Sequence, residues 1–265
     1  ALQPGELCKI SIIVTLSKYV SDCMDKEGKF RGLGYIIKTT MYCAVPTVLV
    51  MMQPDFGTAF VFICIMVFIY FIGRISWGYI LTAAGGLAVC MPLAYYFVLS
   101  DSQRERIDVF INPESDLQNS GYNVAQSKIA IGSGQLTGKG FFSEGTLAQL
   151  RFVPERHTDF IFAGIVEGLG FVGGTIIICL FFALIFRWIY IAMRTKDSFG
   201  TCLVVGVAGM FTAHVFENIG MTIGLMPVTG IPLPFISYGG SNLLTNLIGV
   251  GIVENVWMRR QSKKR

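Results

Sequence analysis

The sequence predicts an all-α fold, a polytopic bundle of membrane-crossing helices. Of its residues 53% are hydrophobic and only 14% charged, with a mean hydropathy of +0.60. Soluble domains run at roughly 45–50% apolar and 25% charged. The apolar residues also gather in runs near the ~20 residues that a bilayer core requires. Those runs are continuous rather than alternating, which excludes membrane β-strands.

About seven runs qualify: 6–22, 35–52, 57–73, 77–99, 160–186, 200–222 and 239–257. The first is short and weak. The second follows Lys26, Lys29 and Arg31, and the third follows Gln53, Pro54 and Asp55, residues suited to capping it. The fourth begins after Arg74 and the fifth ends before Arg194 and Lys196. Arg259, Arg260, Lys263, Lys264 and Arg265 follow the last. Counted across the spans, these basic residues share one face, which the positive-inside rule makes cytoplasmic, the C-terminus included. Residues 1–265 are thus expected to form one integral membrane domain with a large extracellular loop at 100–158. The same parity puts Ala1 outside, as expected for a chain lacking an N-terminal portion with an odd number of spans.

The seven cysteines, Cys8, Cys23, Cys43, Cys64, Cys90, Cys179 and Cys202, lie in or beside apolar runs and read as small buried hydrophobes. No CxxC pair or His/Cys spacing marks a metal or redox centre. The net charge of +4 comes mainly from the cytoplasmic ends and gives no argument for nucleic acid.

Structureless loops as long as 100–158 are usually functional or disordered, and this one has the composition of a site. Tyr122, Gln126 and Ile129 recur at helical spacing, which predicts a short surface helix over 122–131. Gly132, Gly134, Gly138 and Gly140 then break regular structure. Their backbone N–H groups, left free, could cradle an anion; the alternative is an ordinary flexible turn. Arg104, Arg106, Lys128, Lys139, Arg151 and Arg156 face a similar number of acids. Such mixed charge suits one compact anion with a carboxylate nearby.

The loop closes in RFVPERHTDFIFAGIVEGLGF, residues 151–171, where Asp159 opens an apolar run. Asp159 could cap the helix that follows, or act as a general base where hydrocarbon meets water. Helix-end amides would keep it ionised, while partial burial would raise its basicity. Glu167 lies about two turns further on, and His214, Glu217 and Asn218 share one helical face. Ionisable groups inside a membrane segment are functional candidates, but these read better as hydrogen-bonded structural groups. Finally, Pro227, Pro232 and Pro234 with Gly224, Gly230, Gly239 and Gly240 rule out a regular helix near 224–240. Irregular backbone at that depth implies a rigid loop lining a cavity.

QPDFGTA (53–59), GYNVAQSKIAIGSG (121–134), PERHTDFIF (154–162) and NIGMTIGLMPVTGIPLPFISYGGS (218–241) together resemble the SEDS family of RodA, FtsW and SpoVE. The similarity covers essentially the whole chain in order. Its PVTGIPLPFISYGGS ending resembles the RodA elongation branch, division members typically having Lys where Thr229 stands. Gly5, Gln135 and Gly168 depart from residues common in the family. The family has about ten spans, so the parity fits loss of the first three.

The resemblance implies a peptidoglycan glycosyltransferase of the bacterial plasma membrane that polymerises lipid II and works with a class B penicillin-binding protein. It assigns Asp159 as the essential aspartate and general base. Arg106, Gln126, Ser127, Lys139, Arg151, Glu155, Arg156 and Ser237 are the candidate substrate-binding residues, with a divalent cation, magnesium or manganese, as a candidate aid. A glycosidase must protonate a sugar alkoxide and uses two carboxylates. A diphosphate leaves as a stable anion, so one base beside cations can suffice. The competing readings are a lipid II flippase, resting on Glu167, Glu217 and His214, and a non-catalytic scaffold for the penicillin-binding protein.

Overall fold

The computed structural model of the chain describes residues 3–28, 32–76, scattered positions between 78 and 96, 101–111, 120–140 and 158–259. Among the described residues every regular element is a helix: α1 (Pro4–Glu27), α2 (Leu33–Met51), α3 (Phe56–Ile72), α4 (Asp101–Ile111), α5 (Ser120–Ser133), α6 (Ile161–Arg194), α7 (Ser198–Ile223) and α8 (Gly240–Arg259). Three of them, α2, α6 and α7, are long and apolar enough to cross a membrane, and α3 is a shorter apolar helix. Described positions of the apolar run at 77–99 are helical too. The segment 100–158 contributes α4 and α5, so it is more than a connector, and the expected helix at 122–131 is longer by two residues at each end.

Local chemistry accounts for the helix ends. Pro4 occupies the first turn of α1, where its missing N–H costs nothing. The Asp55 carboxylate accepts the Thr58 N–H at 3.0 Å and caps α3, as expected for that motif. Pro46 sits inside α2 and cannot donate to the helix ladder; at the next residue the Thr47 hydroxyl donates to the Cys43 carbonyl at 2.7 Å.

The chain packs as two compact units. The first holds residues up to Leu99, Ile185–Ala213 and Ser241–Arg265. Ile13, Leu16, Val20, Val61, Phe62, Ile65 and Ile69 form its interior, wholly removed from solvent. Trp188 and Phe211 meet edge to face at 4.7 Å. The cysteines are only partly the buried hydrophobes expected: Cys23, Cys43 and Cys202 are buried, but Cys179 is exposed on α6, on a helix face that apolar solvent suits as well as a core does.

The second unit, Ser100–Leu184 with His214–Gly240, carries the candidate site. Its core gathers Phe162, Val166, Phe181 and Leu233, with Ile131, Val215, Ile219 and Ile236 packed against them. Here the expectation of free backbone amides in the glycine run is overturned. The N–H of Gly134 bonds the Ala130 carbonyl and that of Gly138 the Gly134 carbonyl. Lys139 N–H donates to Glu167 and Gly140 N–H to Gly168, each at 2.9 Å.

The reason lies in α6, which is two helices joined across a break: Gly170 has φ 70° and ψ −172°. A broken helix leaves backbone groups without intrahelical partners, which is costly in an apolar medium. The segment 135–140 supplies them. Besides the two bonds just named, Phe171 N–H donates to Gln135 at 2.7 Å and Val172 N–H to Leu136 at 3.2 Å. The two backbones cross where Gly138, at φ 80°, meets Gly168 and Gly170 so closely that no side chain fits at 138 or 170. The glycines serve a backbone ladder, and none of the four amides is available to an anion.

Candidate active site

Asp159 lies in the turn Thr158–Phe160, two residues before α6, and is half-buried. Phe160 beside it is 2% exposed and packs with Val124 of α5 and Val228, which anchors the turn in the core. Irregular backbone from 224 to 239, forced by its prolines and glycines, runs past this turn.

The turn and the irregular segment are tied by side chains of α7. Asn218 is fully buried, and its amide nitrogen donates to the carbonyls of Asp159 and Ile231, both at 2.8 Å. One turn earlier His214 Nδ1 lies 3.1 Å from the Pro232 carbonyl. Between them Glu217 accepts the Thr229 hydroxyl at 2.9 Å. The shared face legible in the sequence is therefore a structural comb that grips residues 229–232. Ser237, 8% exposed, adds a further tie: it accepts the Leu233 N–H at 2.8 Å and donates to the Thr158 carbonyl at 2.6 Å.

Gly230 has φ 77°, and a Cβ there would stand 3.2 Å from Asp159 Oδ2. One oxygen of the carboxylate thus packs against the glycine's α-carbon. Glycine suits both this close approach and the left-handed backbone.

The remaining expected site residues divide three ways. Ser127 of α5 is fully buried, its hydroxyl donating to the Thr222 carbonyl at 2.6 Å with the Val124 carbonyl at 3.1 Å, so it fastens α5 to the end of α7. Gln126 beside it is half-buried. Lys139 is exposed with its ammonium 3.8 Å from the buried carboxylate of Glu167, beside the backbone bond those same residues share. Arg106 belongs to α4 by its backbone, while Arg151, Glu155 and Arg156 lie outside the described residues. Asp159 and Ser237 are thus joined through a single turn.

Sequence reasoning missed one polar pair. In the first unit Glu6 and Lys9, 4% and 1% exposed, form an ion pair at 2.6 Å on α1. Their i,i+3 spacing within an apolar run was the available signal. Among the described residues no group of three His, Cys, Asp or Glu side chains gathers to hold a metal ion.

Three comparisons bear on identity. The pattern of the cell cycle protein family FtsW/RodA/SpoVE matches residues 1–262. The peptidoglycan glycosyltransferase MrdB of Escherichia coli is 40% identical over 260 residues, which cover 98% of this chain and 69% of that protein. A solved structure concerned with the structural coordination of polymerization and crosslinking by a peptidoglycan synthase complex aligns with 99% of this chain and 71% of its own, at 28% identity and a TM-score of 0.78. The rod shape determining protein RodA of Thermus thermophilus aligns with 98% of this chain and 67% of its own, at 26% identity and a TM-score of 0.66.

Proposed function

The chain belongs to the FtsW/RodA/SpoVE family, and from that membership and the held carboxylate of Asp159 we propose a multi-pass membrane glycosyltransferase that polymerises lipid II, with Asp159 as its general base. One observation carries the assignment of the base. Asp159 is a half-buried carboxylate at the mouth of an apolar helix, its turn fastened to the irregular segment 224–239. Such a group is open to an incoming hydroxyl and fixed in place by its backbone, as a general base must be.

In the proposed step the acceptor sugar's 4-hydroxyl gives its proton to a carboxylate oxygen of Asp159 as the hydroxyl oxygen attacks the donor's anomeric carbon. A new C–O bond forms on the face opposite the breaking one, so the configuration inverts. The electron pair of the broken bond stays with the polyprenyl diphosphate. That leaving group needs positive charge more than a proton. Arg151 and Arg156, close to Asp159 in sequence, and Arg106 or Lys139 are the residues proposed to supply it. Magnesium or manganese would add charge stabilisation at the same diphosphate.

The distribution of Lys and Arg supports seven spans with the C-terminus in the cytoplasm. A class B penicillin-binding protein is the proposed partner, in keeping with the synthase complex whose structure this chain resembles. The flippase reading would rest on Glu167, Glu217 and His214. Each of these is engaged locally, with Lys139, Thr229 and the Pro232 carbonyl respectively, which favours the structural role.

The test is full-length protein with its penicillin-binding partner, given labelled lipid II in detergent. The wild type should yield long glycan chains. Asp159→Asn should yield none while still folding and co-purifying with the partner, and polymer from that variant would remove the assignment.

A further inference from the structure

A carboxylate that acts as a base is only as well aimed as its own backbone. The side-chain direction of residue 159 is set by the planes of the two peptides that flank its α-carbon, since these fix φ and ψ. The carbonyl of one plane belongs to Thr158 and that of the other to Asp159. Both are held by side chains from elsewhere in the second unit: Ser237 Oγ donates to the Thr158 carbonyl at 2.6 Å, and Asn218 Nδ2 donates to the Asp159 carbonyl at 2.8 Å.

Each latch is itself fixed at its far end. Ser237 accepts the Leu233 N–H at 2.8 Å and Asn218 donates to Ile231 at 2.8 Å, so both tie the turn to the same proline-rich segment. That segment also presents Gly230 to Asp159 Oδ2, closing one side of the carboxylate. Backbone direction and side-chain freedom are thus limited by one connected set of contacts.

We infer that Asn218 and Ser237 are positioning residues for glycosyl transfer, pinning the two peptide planes around Asp159 so that its carboxylate meets the acceptor hydroxyl. This rests on the proposed role of Asp159 as base. Asn218 is fully buried, and the two bonds its Nδ2 donates go to the carbonyl of the turn and to that of the segment beside it. Ser237, a candidate for direct substrate contact on sequence grounds, has its hydroxyl committed to backbone on both sides and would act through the turn.

The test is steady-state kinetics of glycan synthesis by the full-length protein with its penicillin-binding partner, for Ser237→Ala, Ser237→Thr, Asn218→Ala and Asp159→Asn. Misplacing a reacting group by about 1 Å costs on the order of 100-fold in rate. Ser237→Ala and Asn218→Ala should therefore lower kcat by about that factor and leave the KM for lipid II within about threefold. Ser237→Thr retains the hydroxyl and should recover most of the rate. Apparent melting temperature and partner co-purification normalise each rate to folded protein. If Asn218→Ala does not fold, the Ser237 pair decides. Equal kcat for the Ala and Thr variants, or a loss that appears in KM, overturns the inference. Should Asp159→Asn still polymerise, the assigned base fails and this inference with it. Should Asp159→Asn be inactive while Ser237→Ala and Asn218→Ala run at wild-type kcat, the positioning role alone fails.

Discussion

Replacing Gly138 with Ala tests whether the backbone ladder between residues 135–140 and the break in α6 closes that break. The new Cβ would overlap the carbonyl of Gly168 and the amide of Gly170, which are rigid backbone. At φ 80° it would also meet the left-handed penalty of an L-residue, about 1–2 kcal/mol. Relief requires the two backbone segments to part, which breaks the bonds from Lys139 to Glu167 and from Gly140 to Gly168. Each contributes about 1 kcal/mol, so local opening should become easier by about 3 kcal/mol. At about 1.4 kcal/mol per tenfold, hydrogen exchange at the amides of residues 139, 140, 171 and 172 should speed up by roughly 100-fold. Gly132→Ala is the control. It lies in α5, a Cβ there meets nothing within 4 Å among the described residues, and alanine should stabilise by up to about 1 kcal/mol. Mass-spectrometric exchange in detergent reads both variants. Unchanged protection at those four amides in Gly138→Ala would refute the ladder.

That ladder also shows where sequence reasoning stopped. Apolar runs announce helices because their length and continuity are side-chain properties, and α2, α6 and α7 were legible for that reason. The glycine run at 132–140 was legible as a break, but its bonds run between backbone groups and carry no side-chain signature. The carbonyls that receive them come from a second break, at Gly170, set in an apolar run that otherwise reads as one helix. The comb on α7 was half legible. Spacing gave the face shared by His214, Glu217 and Asn218, yet the Asn218 partner at Asp159 is 59 residues away in sequence. Asp159 itself was found through its motif, whereas Gly230, which abuts its carboxylate, looked like one more loop glycine. Glu6 and Lys9 went unread because their two charges are what made the first apolar run look weak.

Two further substitutions probe the backbone around the site. Gln135 stands at φ 47°, a left-handed position where glycine is at ease. Gln135→Gly should therefore stabilise the protein by about 0.5–1 kcal/mol, the left-handed penalty less glycine's greater unfolded-state entropy. A raised apparent melting temperature checks this, and a fall would show that the Gln135 side chain contributes more than the strain it carries. Gly230→Ala acts on the carboxylate directly. Its Cβ would stand 3.2 Å from Asp159 Oδ2 and 3.9 Å from Cγ, tighter than ordinary contact, so the carboxylate must shift by a few tenths of an ångström. The left-handed backbone at φ 77° adds about 1–2 kcal/mol of strain to the loop. A base displaced by less than the ~1 Å that costs 100-fold should lose about tenfold in kcat. Among the described residues the methyl group meets only Asp159, so lipid II KM should hold. A wild-type kcat in folded Gly230→Ala protein would mean that the carboxylate does not depend on this contact, and that its aim is set by the Asn218 and Ser237 latches alone.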